Sequence, residues 1–220
     1  MKKLMALLFT LISVLVFALT GCSNGDTFTE KSYSTGENEI EKVIIQVTDR
    51  ELEISVSEDN RIYIDYFDGE KPYLDIAVTE NKELTIKLAF NKEWTDFIGT
   101  KPSAEYRKIK IKIPNNLITA FSASTTNANI KVNSLSFTEH VSLHTNGGDI
   151  VCERVNVGKT ISLTAKNGNI KGTIIGGWDD FSIACKIKKG NCNLPTNKES
   201  GEKSFIADCN NGDINIEFIK

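Results

Sequence analysis

The sequence predicts an all-β fold, a right-handed β-helix or β-solenoid with rungs of about 20–22 residues. Two observations predict it. From residue 40 onward, short runs alternate apolar and polar residues, and this period of two indicates strands with one buried face. In the C-terminal half, an Asn or Asp that follows a turn recurs at steps of 20, 20, 22 and 22 residues. Repeats of this length are typical of solenoids and propellers.

Each alternating run predicts one strand, and each run ends at turn residues. No stretch after residue 25 has a sustained helical period, so the sequence predicts no helical layer. The first six runs carry their apolar residues at Val43-Ile45-Val47, Leu52-Ile54-Val56, Ile62-Ile64-Tyr66, Leu74-Ile76-Val78, Leu84-Ile86-Leu88 and Ile109-Ile111-Ile113.

The repeated turn explains the longer period, because a coil that bends at the same place on each rung needs the same turn chemistry each time. Glycine tolerates positive φ, and Asn tolerates it better than most residues. We therefore expect positive φ at Gly147, Gly148, Gly168, Gly190 and Gly212. The five turns read TTNANIKV (125–132), HTNGGDIV (144–151), AKNGNIKG (165–172), KKGNCNLP (188–195) and CNNGDINI (209–216).

The residue after each turn marks a column that should stack from rung to rung, about 4.8 Å apart and in sequence order. The markers are Asn129, Asp149, Asn169, Asn191 and Asp213. The residues that follow them are expected to point inward: Ile130, Ile150, Ile170, Cys192 and Ile214. The same holds two positions further on, at Val132, Cys152, Gly172, Leu194 and Ile216. It also holds four positions before the markers, at Thr125, Thr145, Ala165 and Cys209, which Cys185 joins if Ile187-Lys188 is an insertion.

These motifs carry a resemblance to a known family. The segment YRKIKIKIPNNL (106–117) precedes the repeated turns. A strand that ends in K-I-x-I-P, followed by several x-N-G-D-I rungs, resembles the "putative adhesin" family of bacterial envelope proteins, the DUF4097 type. The resemblance covers roughly residues 40–220 and implies a β-helix at the cell envelope. Ala128 and Cys192 depart from the pattern, where Gly and Ile are usual.

The N-terminus predicts a lipoprotein signal peptide. MKK is a charged start, residues 4–19 are almost wholly apolar, and Leu19-Thr20-Gly21-Cys22 resembles the bacterial lipobox. That resemblance implies cleavage before Cys22 and acylation of it by diacylglycerol and palmitate. An uncleaved transmembrane anchor is the alternative. We expect a signal peptide at 1–21, a lipidated Cys22 with a flexible tether at 22–38, and the β-helix domain at 39–220, at the extracytoplasmic face of the cell membrane.

The four remaining cysteines, Cys152, Cys185, Cys192 and Cys209, fall on predicted inward columns. They could be small core residues. Alternatively, Cys185 and Cys209 could form a disulfide, since the predicted column places them one rung apart in an oxidising compartment. Zinc is disfavoured because the spacing does not match C-x₂₋₄-C and no His lies nearby. We predict no metal site and no cofactor.

Four apolar residues form the candidate binding surface. Trp94, Phe97 and Ile98 lie in a predicted loop, NKEWTDFIGTK (91–101), and could cap the open end of the sheet or contact a partner. Trp178 offers the same alternatives, and as a binding residue it would stack on a sugar ring. The C-terminal strand with Phe218 is a second candidate cap.

Catalytic residues are not predicted. The adjacent acids Asp179 and Asp180 resemble the paired carboxylates of glycosidases, but neighbours on a strand point to opposite faces. His140 and His144 should point outward, too far apart to share a metal ion. Asp149 and Asp213 are interpreted as turn residues, because three rungs would separate them.

The charge argues against nucleic acid as a partner. The net charge is −3, and removal of Lys2 and Lys3 with the signal peptide leaves 24 basic against 29 acidic residues. We expect a non-catalytic binding module whose partner is a cell-wall glycan, an anionic envelope polymer or an envelope protein. The resemblance to the "putative adhesin" family implies a role in adhesion or envelope stress. An enzyme on envelope polysaccharide and a self-associating structural protein are the alternatives.

Overall fold

The computed structural model describes residues 27–37, 39–91 and 102–220. Their regular structure consists of strands and two short 3₁₀ turns, at Glu105–Arg107 and Trp178–Asp180. The strands in chain order are β1 (Thr29–Ser34), β2 (Lys42–Gln46), β3 (Glu51–Val56), β4 (Tyr63–Asp68), β5 (Pro72–Val78), β6 (Glu83–Phe90), β7 (Lys108–Ile113), β8 (Ala120–Thr125), β9 (Ile130–Asn133), β10 (Ser136–Phe137), β11 (His140–Gly147), β12 (Ile150–Val157), β13 (Thr160–Asn167), β14 (Ile170–Ile175), β15 (Phe181–Lys189), β16 (Asn197–Lys198), β17 (Lys203–Asn211) and β18 (Ile214–Ile219).

The strands form two nine-stranded sheets. Sheet A has the order β1-β4-β7-β3-β9-β12-β14-β18, with β10 beside β12, and sheet B has the order β16-β15-β17-β13-β11-β8-β2-β6-β5. Most neighbours are parallel. The antiparallel pairs, β1–β4, β4–β7, β5–β6 and β15–β16, lie toward the ends of the sheets. The predicted all-β solenoid is thus confirmed.

Six rungs contribute one strand to each sheet: β2–β3, β6–β7, β8–β9, β11–β12, β13–β14 and β17–β18. The alternation of the sequence turns one face of each of these strands inward. Val141 on β11 pairs with Phe121 on β8 and with Ile161 on β13, and all three are buried. In sheet A, Ile150 pairs with Ile130 and Ile170 in the same way. The core is therefore a set of apolar columns that run between the two sheets.

The last two rungs do not stack in sequence order, so that prediction is wrong. Strand β17 lies between β13 and β15, although it follows β15 in the chain. After β14 the chain skips the position beside β13 and forms β15 one position further out. It continues through β16, and β17 then occupies the skipped position between β13 and β15. We call this out-of-order path from β15 to β17 the detour. Asp149 and Asp213 are consequently two rungs apart, with Asn169 between them, rather than three.

The register of β15 corrects the expected disulfide column. Cys185 is opposite Ala207, whereas Cys209 is opposite Ile187. Ile187 stands four residues before Asn191, so the repeat spacing holds there without an insertion. Cys185 and Cys209 are therefore offset by two residues, and both are free thiols in the structure. The column of residues after the markers is confirmed, since Cys192 bridges to Ile214, which pairs with Ile170.

The marker side chains connect the rungs directly. The Oδ1 atom of each marker accepts a hydrogen bond from the backbone N–H of the marker on the next rung. Asn129 accepts from Asp149 at 2.8 Å, and Asp149 accepts from Asn169 at 2.8 Å. Asn169 then accepts from Asp213 at 2.9 Å, and Asp213 accepts from Asn191 at 2.8 Å. We call this series the Asx ladder.

The glycines before the markers are required mainly by close packing. A Cβ on Gly148 would lie 2.2 Å from the carbonyl oxygen of Ala128, and one on Gly168 would lie 2.0 Å from that of Gly148. Gly168, Gly190 and Gly212 have positive φ as expected. Gly147 and Gly148 do not, so for Gly148 the constraint is the approach of the neighbouring rung.

The N-terminal segment corrects the predicted tether. Residues 29–34 form β1, which pairs with β4 at the edge of sheet A. Lys31 forms an ion pair with Asp68 at 3.0 Å, and the Ser32 hydroxyl donates to Asp65 at 2.6 Å. The strand is stabilised by these polar contacts and by backbone pairing, so its sequence lacks the apolar alternation by which the other strands were identified.

The predicted signal peptide and lipobox lie outside the described residues. In the ranges that are described, no helix is long and apolar enough to cross a bilayer.

Substitution of Asn169 by Ala tests the Asx ladder. It removes the acceptor of the Asp213 N–H and the donor of the 3.1 Å bond from Asn169 Nδ2 to Asp149. We expect the free energy of unfolding of residues 23–220 to fall by about 1–2 kcal/mol in urea titrations followed by circular dichroism. Asn215→Ala, on an exposed position of β18, is the control and should change it by less than about 0.5 kcal/mol. Equal losses in both variants would contradict the ladder's role.

Candidate functional site

Trp178 is an exposed aromatic residue at one end of the solenoid. It begins the 3₁₀ turn between β14 and β15, and 44% of its surface is accessible. The turn is held by Asp180, whose carboxylate accepts the Gly177 N–H at 2.6 Å. The Trp178 ring meets Phe218 edge-on, with centroids 5.8 Å apart and an interplanar angle of 79°. The ring is thus packed against Phe218 and remains partly exposed.

Beneath Trp178, Phe218 closes the end of the core. Its ring lies 4.9 Å from that of Phe181 and 5.6 Å from that of Phe205, both fully buried. The prediction that the C-terminal strand caps the solenoid is therefore supported. Aromatic pairs of this geometry contribute to stability beyond their buried area, so Trp178 packs on a well-ordered aromatic cluster.

Lys198 on β16 fixes the surroundings of the indole. Its ammonium donates to the carbonyl oxygens of Phe181 at 2.7 Å and Ser200 at 2.8 Å. The same Nζ atom lies 5.7 Å from the Trp178 ring centroid, within the range of a cation–π contact. Lys198 was not predicted from the sequence. Only the antiparallel pairing of β16 with β15 brings it to this place.

A polar cleft of about 530 Å³ adjoins the turn that carries Trp178. Asp179, Asp180, Gly201, Glu202 and Lys203 line it. Asp179 and Asp180 lie on a 3₁₀ turn and not on a strand, so the expectation that they face opposite sides is wrong. Glu202 and Lys203 were not predicted, although the charged loop ESGEK (199–203) was a signal for them.

The carboxylates of the cleft differ in whether they already accept a hydrogen bond. Asp180 is occupied by the Gly177 N–H, whereas Asp179 and Glu202 make no hydrogen bond within the described part of the chain. Free carboxylates beside an aromatic ring can accept hydrogen bonds from the hydroxyls of a ligand that stacks on the ring. We call Trp178, together with the adjoining cleft and its side chains Asp179, Glu202 and Lys203, the end site.

A second, shallower groove of about 310 Å³ lies on the outer face of sheet B. Small outward side chains line it on three adjacent strands, Ser122, Ser142 and Ser162, with Ala120, His140 and Thr160 beside them. His140 is exposed, as predicted, and His144 bonds to Asn146 through Nε2 at 3.1 Å. Lys42, Glu83 and the buried Phe121 also line this groove, and none of its lining residues is an exposed aromatic.

The cysteines are mostly core residues. Cys152 is fully buried, and burial raises the pKa of its thiol to about 12, so it remains protonated. Burial also raises the pKa of Cys209. Over the described residues, no group of three or more His, Cys, Asp or Glu side chains is arranged to hold a metal ion.

The other predicted site residues cannot be placed. Trp94, Phe97 and Ile98 lie outside the described residues, as do Leu19, Thr20, Gly21 and Cys22 of the lipobox. Of the four predicted binding residues, the end site therefore contains Trp178.

Comparison with known proteins gives one family and a set of related folds. The family model "Toastrack DUF4097" matches residues 40–220. A "putative cell adhesion protein" from Clostridium sporogenes is 15% identical, with a TM-score of 0.60 over 88% of this chain and 100% of that one. A "putative adhesin" from Bacteroides fragilis is 14% identical, with a TM-score of 0.39 over 90% of this chain and 100% of that one. No curated protein matches significantly.

The support of Trp178 by Lys198 is testable by fluorescence. The chain has two Trp residues, so a Trp94→Phe background leaves Trp178 as the only indole. Lys198→Ala removes two charge-assisted hydrogen bonds and should lower the free energy of unfolding by about 1–2 kcal/mol. It should also increase the quenching of Trp178 by acrylamide. Lys188→Ala, at an exposed position of β15, is the control, and equal quenching in both variants would contradict the contact.

Proposed function

Because this chain belongs to the Toastrack DUF4097 family, we propose that it is a non-catalytic binding module at the cell envelope, whose end site binds a glycan. The name of the Clostridium sporogenes relative, a cell adhesion protein, is in keeping with such a role. The observation that carries the proposal is the partly exposed ring of Trp178, packed against Phe218, on a turn that also lines a polar cleft.

Stacking on an aromatic ring suits a sugar, because one face of a pyranose is apolar while its rim carries hydroxyls. Trp178 provides the flat surface, and Asp179, Glu202 and Lys203 provide acceptors and a donor at its side. Since Phe218 and Lys198 already hold the indole, little conformational entropy is lost on binding.

The charges favour a neutral glycan over an anionic polymer. The cleft carries three carboxylates against one ammonium, which would repel a polyanion. On the outer face of sheet A, Lys108 is paired with Glu53 at 3.0 Å and Lys131 with Glu51 at 2.8 Å, so these lysines are already neutralised.

Anchoring at the membrane completes the proposal. A lipidated Cys22 would hold the domain at the extracytoplasmic face. Because β1 begins at Thr29, only residues 23–28 would separate that anchor from the first strand. The binding module would therefore sit close to the membrane surface.

Binding of glycan through Trp178 is tested by pelleting residues 23–220 with purified envelope glycan. Trp178→Ala should weaken saturable pelleting by about 10- to 30-fold, as expected for a central aromatic anchor, and Trp178→Phe should lose less. Ile206→Ser is the control, since Ile206 is 38% exposed on the outer face of sheet B. Loss of pelleting with Ile206→Ser alone would move the site to sheet B, and loss with neither would point to a protein partner or self-association.

Hydrolysis of the glycan is a second candidate, favoured by the three carboxylates that line one cleft. Sugar release into the supernatant that disappears in Asp179→Asn or Glu202→Gln, with pelleting retained, would replace the binding proposal by an enzyme. The binding proposal predicts no release from the wild-type chain.

The lipid anchor is tested in cells that express the full-length chain. Labelled palmitate should enter the wild-type protein and should be absent from Cys22→Ser, because no other residue can carry the lipobox thioether. Ser23→Ala is the matched control and should keep the label. Label that persists in Cys22→Ser would contradict lipidation at this residue.

A further inference from the structure

The outermost rung at the C-terminal end brings two cysteines together. Cys185 lies on β15 in sheet B, and the chain then turns through Gly190 so that Cys192 bridges to Ile214 at the edge of sheet A. Their Sγ atoms are 2.9 Å apart. This contact approaches the length of a covalent S–S bond, about 2.0 Å, so a small rotation of the side chains would suffice for bonding.

We propose that Cys185 and Cys192 form a disulfide within the last rung of the solenoid. The expected pair was Cys185 with Cys209, but the register excludes it, because Cys209 is opposite Ile187. The Cys209 thiol instead donates to the carbonyl oxygen of Gly168 at 3.4 Å. Cys152 is buried on β12, between β9 and β14.

The bond forms by exchange with a small-molecule disulfide. The thiolate of Cys192, the more exposed of the two residues, attacks one sulfur of the oxidant and expels the first small thiolate, which takes up the proton that Cys192 lost. The thiolate of Cys185 then attacks the Cys192 sulfur and expels the second small thiolate, which takes up the proton of Cys185. Two protein thiols become one disulfide, and the oxidant is reduced to two thiols.

The second step should depend on pH. In the reduced pair, burial and the contact with Cys192 raise the pKa of the Cys185 thiol to about 12. Burial still disfavours the Cys185 thiolate once Cys192 has reacted, so only a small fraction is thiolate near neutral pH. The fraction grows about tenfold for each unit of pH below that value. Closure should therefore accelerate in alkaline solution.

The bond would stabilise the strand that supports the end site. The Cys185 N–H donates to the Thr196 carbonyl at 2.9 Å, and Ile183 on the same strand pairs with Lys198. Lys198 in turn lies over Trp178. With the disulfide formed, β15, β16 and the indole would stay packed together. With the two thiols reduced, this end of the solenoid would unfold locally more readily. The presence of a disulfide in cells, though not its chemistry, rests on the proposed extracytoplasmic location.

Peptide mapping tests the pairing in the full-length chain, extracted in mild detergent and treated with oxidised or reduced glutathione. Trypsin can cleave after Lys186, Lys188 and Lys189, between the two cysteines, so a linked pair of peptides is diagnostic. The oxidised protein should yield the Cys185 peptide joined to the Cys192 peptide, and its Tm should exceed that of the reduced protein by about 5–10 °C.

Three variants assign the bond. Cys185→Ser and Cys192→Ser should each abolish the link and the Tm difference, whereas Cys209→Ser should retain both. Free Cys185 and Cys192 after excess oxidant, or a link from either one to Cys209, would overturn the proposal. The wild-type map decides the pairing even if a variant fails to fold. Because this experiment needs neither glycan nor membrane, its failure is distinguishable from failure of the proposed function.

Discussion

The stacking of rungs depends on the Asx ladder, in which each marker side chain accepts the backbone N–H of the marker on the next rung. In space the ladder reads Asn129, Asp149, Asn169, Asp213, Asn191, so amide and carboxylate alternate. Adjacent carboxylates about 4.8 Å apart would repel each other. In sequence order two Asn would be neighbours and an Asp would stand at the end. The observed order gives each Asp an Asn on both sides.

The detour that produces this order also produces the end site. Because β15 passes beyond the place that β17 later fills, the 3₁₀ turn with Trp178, the short strand β16 with Lys198 and the loop with Glu202 all meet at one end of the solenoid. The same detour makes the turn that brings Cys185 against Cys192. The repeated rungs account for the stability of the fold. The end site and the Cys185–Cys192 pair both lie where the repeat is interrupted.

Local features of the fold could be predicted, and long-range ones could not. Alternation identified the buried faces, and the turn repeat identified the marker columns, because both depend on neighbouring residues in the chain. Neither reveals which rung lies next to which, so the place of β17 and the register of Cys185 were predicted wrongly. β1 was missed because a polar edge strand carries no apolar period. Of the end site, Trp178 was found as an exposed aromatic, whereas Lys198 and Glu202 reach it only through the detour.

The most direct test of this account is a pair of engineered cross-links in a chain without its five native cysteines. Thr164 on β13 faces outward directly opposite Asp208 on β17, and Lys186 on β15 lies one strand further. We predict that Thr164→Cys with Asp208→Cys forms a disulfide readily. Thr164→Cys with Lys186→Cys should not, because two strand spacings, about 9.6 Å, exceed the span of the bond. Cross-linking of the second pair and not the first would show that the rungs stack in sequence order, and would contradict both the ladder and the origin of the end site.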